Sequence, residues 1–271
     1  MRILVTNDDG IDATGLHVLA RRLAPMAEVV VAAPDREYSG AGAAIGTIHL
    51  IRPEVRRVAL EGVDEAWSVT GPPALCVMFA RLGVFGGPFD LVVSGINPGA
   101  NTGRALYHSG TVGAALTARN GGVTGLAISQ AVDDYGVEGQ GWDDMVENQR
   151  WDTAAEVAAR IVAALLDALP SKPIVLNVNV PNRELADVEG WRRVEVAALP
   201  PRTLASAALT PMAGHDGAFS VQMDWGDPIE LPVDTDSGAV EAGYIAVTAL
   251  TRIVDDPEVD LGEVSTALGG I

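Results

Sequence analysis

Lysine is almost missing from this chain. Lys172 is the only one in 271 residues, and 18 basic side chains stand against 36 acidic ones, for a net charge of −18. A chain this acidic repels polyanions, which argues against a stable nucleic-acid complex and against attraction to an anionic membrane surface. The shortage also removes the Walker-type lysine from any glycine-rich phosphate loop. An anionic substrate must therefore be small, and a metal ion or backbone amides must meet its charge. Cysteine is as scarce: Cys76 stands alone, so neither an intramolecular disulfide nor a cysteine metal cluster can form, which fits a reducing compartment. The plain reading of Cys76 is a buried residue on an apolar helix. No run of about 18 uncharged apolar residues occurs, the length that a membrane-spanning helix needs. No signal-peptide core builds up either, because Ile3-Leu4-Val5 is stopped at Asn7, Asp8 and Asp9. Together these absences predict a soluble, cytoplasmic protein. No internal repeat or low-complexity tract interrupts the chain, which is long enough to bury a substantial core.

What is present is an alternation of strand and helix. Arg2 to Thr6 is β-branched and apolar, the pattern of a buried parallel strand. A helix follows over Ala13 to Leu23, with Leu16, Leu19, Ala20 and Leu23 at helical spacing and Pro25 just past its end. Glu28 to Ala33 is a second strand. Short alternating runs between Thr47 and Val69 predict a hairpin insertion near 47–69. Helices over Ala74 to Leu82 and Thr111 to Asn120, with strands over Phe89 to Ser94 and Leu126 to Ser129, complete an α/β, Rossmann-like doubly wound, mostly parallel sheet over residues 1–130. Val132 to Asn148 reads as an acidic surface loop. Beyond it come a long amphipathic helix, Trp151 to Leu169, and a strand, Pro173 to Val180. Strand character recurs at Trp191 to Ala197, Ala218 to Trp225 and Gly243 to Leu250. Residues 131–271 are thus expected to form a helix plus a β-rich C-terminal extension that can pair with a neighbouring subunit.

Four places end a strand or open a helix with oxygen-bearing side chains, where open α/β sheets assemble their sites. Asn7-Asp8-Asp9-Gly10 follows the first strand. Two adjacent carboxylates repel unless a cation sits beside them, and they are hard ligands suited to Mg²⁺ or Mn²⁺; the plainer alternative is a solvated turn with a helix cap. Asp35-Arg36-Glu37-Tyr38-Ser39-Gly40 follows the second strand. There Ser39 offers a neutral ligand and Arg36 a partner for Asp35, although an ordinary turn serine explains Ser39 equally. Ser39 lacks a Gly-x-Ser-x-Gly elbow, which rejects acyl transfer. In Ser94-Gly95-Ile96-Asn97-Pro98-Gly99-Ala100-Asn101, Asn97 offers an amide oxygen to a cation and Asn101 offers NH₂ donors to a phosphate, against a bland turn. His108-Ser109-Gly110-Thr111 enters a helix, so Ser109, Gly110 and Thr111 would place free N–H groups and two hydroxyls at its positive end, an anion seat that needs no lysine. A plain N-cap by Ser109 or Thr111 is the alternative, and His108 either packs or donates a proton to a leaving alcohol.

In order and spacing these blocks resemble the signature of the SurE survival-protein family, with weaker resemblance at Asn177-Val178-Asn179-Val180-Pro181, at Asp234-Thr235-Asp236 and at Gly243-Tyr244. The resemblance implies a Rossmann-like core and one divalent ion per subunit held by Asp8, Asp9, Ser39 and Asn97. It implies phosphate-side residues Asn101, Ser109, Gly110 and Thr111. It also implies a phosphomonoesterase acting on nucleoside 5′- and 3′-monophosphates, in some members also on short polyphosphate, and assembled as a homodimer or homotetramer through swapped C-terminal elements. The chain departs from the family at Ala41 to Gly46 and at Pro72-Pro73-Ala74-Leu75, and Ala197 to Trp225 lacks the expected basic and aromatic pattern.

The expected chemistry is metal-assisted hydrolysis, with Asp8 and Asp9 as the indispensable pair and Asn101, Ser109 and Thr111 neutralising charge that develops on the phosphoryl group. Two other classes are open: a covalent enzyme with Asp8 as the phosphate-accepting nucleophile, and a non-catalytic nucleotide-binding regulator. A Rossmann dehydrogenase is disfavoured because no Gly-x-Gly-x-x-Gly follows the first strand.

Overall fold

The structure is a computed structural model that describes residues 1–46, 52–133, 146–199, 204–227 and 229–253, with 257, 258, 260, 262, 264 and 267 beyond them. The run Ile48 to Ile51 and most of the acidic loop after Val132 lie outside the described residues. The chain runs β1 (Arg2–Thr6), α1 (Thr14–Leu23), β2 (Glu28–Pro34), β3 (Val55–Leu60), β4 (Val63–Val69), α2 (Pro73–Arg81), β5 (Leu91–Pro98), α3 (Gly110–Asn120), β6 (Thr124–Gln130). It continues with α4 (Trp151–Asp167), β7 (Val175–Val180), β8 (Trp191–Arg193), β9 (Leu204–Pro211), β10 (Phe219–Trp225), α5 (Asp236–Glu241) and β11 (Ile245–Leu250).

Nine strands form one sheet in the order β3-β4-β2-β1-β5-β6-β7-β11-β8. From β4 to β7 every neighbouring pair is parallel. Counted in chain order, those strands lie 3-2-1-4-5-6, the doubly wound arrangement whose ligand crevice opens between the first and fourth strands. Here that is the gap between β1 and β5. Alternation along β1 shows how the sequence builds two faces: Ile3 and Val5 pack with Leu16, Leu19 and Leu23 of α1 and Ala158 and Val162 of α4. Leu4, one residue out of phase, packs with Leu75 and Val77 of α2 and Ala114 of α3. Helices therefore cover both sides of the sheet, and the residues just past β1 emerge at its crest with one helix pair on each side.

Two expectations about organisation change in detail. The hairpin near 47–69 exists as antiparallel β3 and β4, but β4 also pairs in parallel with β2, from Val30↔Glu65 to Pro34↔Val69, so its second strand belongs to the main sheet. The sheet also runs on past residue 130 through β7, with β11 antiparallel to it and β8 at the far edge. Among the described residues only β9 and β10 stand apart, as a two-stranded antiparallel ribbon. Among the described residues no helix is long and apolar enough to cross a membrane.

Candidate functional site

Asp8 and Asp9 lie in the bend that follows β1 at the crevice, and their contacts place them on opposite sides, Asp8 against Thr111 and Asp9 against the start of α1. Asp8 is 2 % exposed and faces α3. Its Oδ1 accepts the Thr111 hydroxyl at 2.5 Å. A Cβ on Gly110 would sit 2.7 Å from the Asp8 Cβ and 2.8 Å from its Oδ2, so only glycine lets the helix start this close to the carboxylate. Burial pushes the Asp8 pKa up, and the Thr111 hydroxyl and the backbone amides of Thr111 and Gly110 pull part of that shift back. The positive end of α3 is thus already turned toward an anion of the protein itself.

Asp9 faces the α1 side. It is partly buried, but its Oδ2 is shut off from solvent and has no hydrogen-bond partner. Burial, then the neighbouring Asp8 charge, then Glu37, push its pKa to about 8. Asn7 Oδ1, just past β1, and Ser94 Oγ, within β5 and opposite the last residue of β1, are also buried without partners. Buried polar atoms are normally paired, so a cluster of unpaired oxygens at a sheet crest calls for a partner from outside the chain. Among the described residues no salt bridge reaches Asp8 or Asp9. Gly10 then turns the chain with a φ of +107°, in the left-handed region that favours glycine, and the Asn7 amide closes the turn on the Gly10 carbonyl at 3.0 Å.

The other predicted residues arrive from the neighbouring strand ends. Tyr38 N donates to the Asp8 carbonyl at 2.7 Å, which brings the loop carrying Ser39 to the same crest; Ser39 itself is exposed. Arg36, expected to pair with Asp35, instead lies over the Tyr38 ring at 5.4 Å, and the Tyr38 hydroxyl reaches Asp35 Oδ1 at 3.4 Å. Asn97 follows a register shift in β5 after Ser94, a bulge that re-aims it. Its Nδ2 is committed to the Gly99 carbonyl at 2.7 Å and the Pro98 carbonyl at 3.3 Å, so the amide oxygen is the end left to present. Asn101 is buried and gives Nδ2 to Ser129 Oγ at 2.8 Å. Ser109 is the N-cap of α3, accepting from Val112 N at 3.1 Å, so the capping alternative holds for its Oγ. The His108 side chain is exposed.

Sequence reasoning named Asn177, Asn179 and Asp236 only as places of weaker resemblance and gave them no role around Asn101. Asn179 Oδ1 accepts the Asn101 amide at 2.7 Å, and the Nδ2 groups of Asn177 and Asn179 both donate to the Asn101 carbonyl at 3.0 Å. Asp236, wholly buried at the start of α5, accepts from Gly103 N at 3.0 Å and Ala197 N at 2.9 Å, and Ser237 donates to Thr102 at 2.8 Å. The signal was available: asparagine at alternate positions of an otherwise apolar buried strand needs a polar partner.

This geometry has counterparts. The model of the family described as survival protein SurE matches residues 3–201. A protein named 5′-nucleotidase SurE from Haemophilus influenzae is 35 % identical over 254 residues, 92 % of this chain and 91 % of its own length. One of the same name from Dehalococcoides mccartyi is 35 % identical over 274 residues, 98 % and 95 % of the two chains. The crystal structure of a SurE protein from Aquifex aeolicus superposes with a TM-score of 0.77 at 26 % identity, covering 99 % of this chain and all of that one. With its sheet order, its crest of paired aspartates and these likenesses over nearly its whole length, the chain belongs to the SurE family.

Proposed function

We propose that this protein is a metal-dependent phosphomonoesterase that hydrolyses nucleoside 5′- and 3′-monophosphates to nucleoside and phosphate. The observation that carries the proposal is the pair of neighbouring carboxylates at the crevice, both with raised pKa values and one with a buried, partnerless oxygen. The relatives named 5′-nucleotidase SurE support the substrate class. Among the described residues no three His, Cys, Asp or Glu side chains gather to hold an ion. A hard cation here would therefore take two carboxylates and neutral oxygens, which is a donor set for Mg²⁺ or Mn²⁺. Asp8, Asp9, Ser39 and Asn97 would hold one such ion per subunit. When bound, it supplies Lewis acidity toward a phosphoryl oxygen and favours ionised water.

The chain's own residues do the rest. Water oxygen forms the new bond to phosphorus, the ester P–O bond breaks, and the departing nucleoside oxygen takes up the proton that the water gives up. One of the two carboxylates accepts the proton of the water. Asn101 has a second amide hydrogen beyond the one given to Ser129. Together with Ser109, Gly110 and Thr111 at the positive end of α3, it meets the charge on the equatorial phosphoryl oxygens. Assembly as a homodimer or homotetramer is part of the proposal: Leu209, Phe219, Val221 and Met223 on the β9–β10 ribbon are exposed in the single chain. So is cytoplasmic residence, which suits a lone, buried, unpaired cysteine.

The test is phosphate release across 5′- and 3′-nucleoside monophosphates, with chelator and with Mg²⁺ or Mn²⁺ added back. Release that chelator abolishes and metal restores is expected. Release indifferent to chelator removes the ion from the proposal, and no release from any nucleotide removes the activity.

A further inference from the structure

On the Asp9 side of the crest lies a cavity of about 190 Å³, lined among others by Asp9, Gly15, Glu37, Ile96, Pro98 and Trp151. Its lining includes Ala13, Thr14 and Gly15 at the start of α1, and among the described residues its only charged groups are the two carboxylates. The anion-favouring end of α3 lies across the strand ends, beyond Asp8. A nucleotide with its phosphoryl group at α3 and Asn101 that extends past Asp9 therefore brings its uncharged portion here. Size points the same way. Pockets that enclose whole drug-sized ligands run to roughly 300–1,000 Å³, so this one admits a single ring system and its immediate attachment.

The walls suit that cargo. Trp151, Ile96 and Pro98 are apolar or aromatic and offer a flat base a stacking surface, while the carboxylate of Glu37 offers an acceptor to hydroxyl or N–H donors. The aromatic wall is rigidly mounted. Trp151 opens α4, and the residue before it is pinned from two sides: Arg150 N donates to Asn182 Oδ1 at 2.8 Å, and Gln130 Nε2 donates to the Arg150 carbonyl at 2.8 Å. Behind the cavity, a Cβ on Gly15 would sit 3.0 Å from the six-membered ring of Trp151 and 2.2 Å from the Ile96 carbonyl, so α1, β5 and Trp151 close on one another without slack. A wall fixed before the ligand arrives binds at lower entropic cost.

We infer that this cavity seats the nucleoside portion of the substrate, with Trp151 as the stacking face for the base and Glu37 as an acceptor for a ribose hydroxyl. The inference rests on the nucleotidase proposal for the position of the phosphate, but its test separates the two. In the first arm, adenosine, which carries no phosphate, is titrated into the full-length protein while tryptophan fluorescence is read. Saturable quenching is expected in the wild type, retained in Trp151→Phe after allowing for the lost indole signal at that position, and weakened on the order of tenfold in Trp151→Leu. In the second arm, kcat/KM is compared for a nucleoside monophosphate and for ribose 5-phosphate, which lacks the base. The ratio of the two is expected to fall about tenfold in Trp151→Leu, chiefly through KM, and to recover in Trp151→Phe. A folding defect lowers both substrates together and leaves the ratio in place. Adenosine that binds wild type and Trp151→Leu equally, or not at all, overturns the inference, as does an unchanged ratio. Adenosine bound as expected with no phosphate released leaves the seat standing and sinks the hydrolysis.

Discussion

On the α3 side of the crest, Asp8 is a carboxylate with partners: a hydroxyl, two amides facing it, and the positive end of a helix. On the α1 side, one residue later, Asp9 has a buried oxygen without a partner and two negative neighbours, Asp8 and Glu37. The same functional group, placed twice in a row in the bend after β1, meets opposite electrostatics because one carboxylate is turned to the start of α3 and the other to the α1 side. Asp8 is held in place and partly compensated by the protein, whereas the buried oxygen of Asp9 stays without a partner until a cation or a proton joins it. An ion held by the pair, as proposed, would meet one carboxylate with protein partners and one with a buried oxygen that has none.

The largest expected effect is on turnover, and it tests whether both sides serve one ion. Asp8→Asn and Asp9→Asn should each reduce kcat by about 10³-fold in saturating Mg²⁺, the scale of several kcal/mol of lost charge stabilisation. Stability should separate them. Asp8→Asn places an NH₂ group against donors that the carboxylate satisfied, and should cost about 1–3 kcal/mol by denaturant unfolding. Asp9→Asn removes an uncompensated buried charge and should leave the metal-free protein as stable as wild type, or more so. Equal destabilisation by both variants would erase the contrast.

The pH dependence of the metal-free protein should be the next largest effect. Both carboxylates have folded-state pKa values above the ordinary 3.8, that of Asp9 at about 8. The folded state therefore binds protons more tightly than the unfolded one. Its contribution to stability is complete below about pH 4 and is lost as pH rises through 8. In chelator, the thermal midpoint should fall between pH 6 and pH 8, and the fall should be shallower in Asp9→Asn and in protein saturated with Mg²⁺, where the cation favours the ionised form. A midpoint that climbs over this range in chelated wild type would falsify the assignment of Asp9 as the uncompensated member.

A smaller effect should come from the partner that makes Asp8 different. Thr111→Val keeps the shape and removes the hydroxyl that Asp8 Oδ1 accepts. A hydrogen bond to a charged group contributes about 1.5–3 kcal/mol, so a stability loss in that range is expected, with kcat down on the order of tenfold. Loss of activity without loss of stability would place the Thr111 hydroxyl on the substrate instead of on Asp8.

Much of this crest was legible in the sequence. The apolar run Ile3 to Val5 ending in Asn7-Asp8-Asp9 gives a buried strand that delivers carboxylates to a sheet edge, and the small residues of Ser109-Gly110-Thr111 mark a helix start that another group can approach closely. Sequence could not show that the approaching group is Asp8, because that contact spans 103 residues and depends on β1 and β5 lying side by side. β9 was missed because its alanines, Ala205, Ala207 and Ala208, give little strand signal until β10 pairs with it. α5 was missed because six residues around a buried Asp236 are too short to show helical periodicity. The clamp on Asn101 was out of reach for the same reason as the Asp8 contact: Asn177, Asn179 and Asp236 are polar residues whose partners lie 76 to 133 positions away.

Ser109→Ala should give the smallest effect, and it tests how the α3 end is shared. Ser109 Oγ accepts from Val112 N, an N-cap whose loss costs about 1 kcal/mol. A serine that only capped the helix would leave kinetics untouched once the protein is folded. If the seat at α3 serves both Asp8 and the phosphate, however, the hydroxyl hydrogen that the cap leaves unused is available to a phosphoryl oxygen, and its removal should lower kcat/KM several-fold beyond the stability cost. The decisive comparison is Ser109→Gly, which retains much of the capping preference without a hydroxyl. Kinetics as poor as those of Ser109→Ala, with stability largely recovered, would assign the oxygen to substrate. Recovery of both would leave Asp8 as the sole occupant of the helix end.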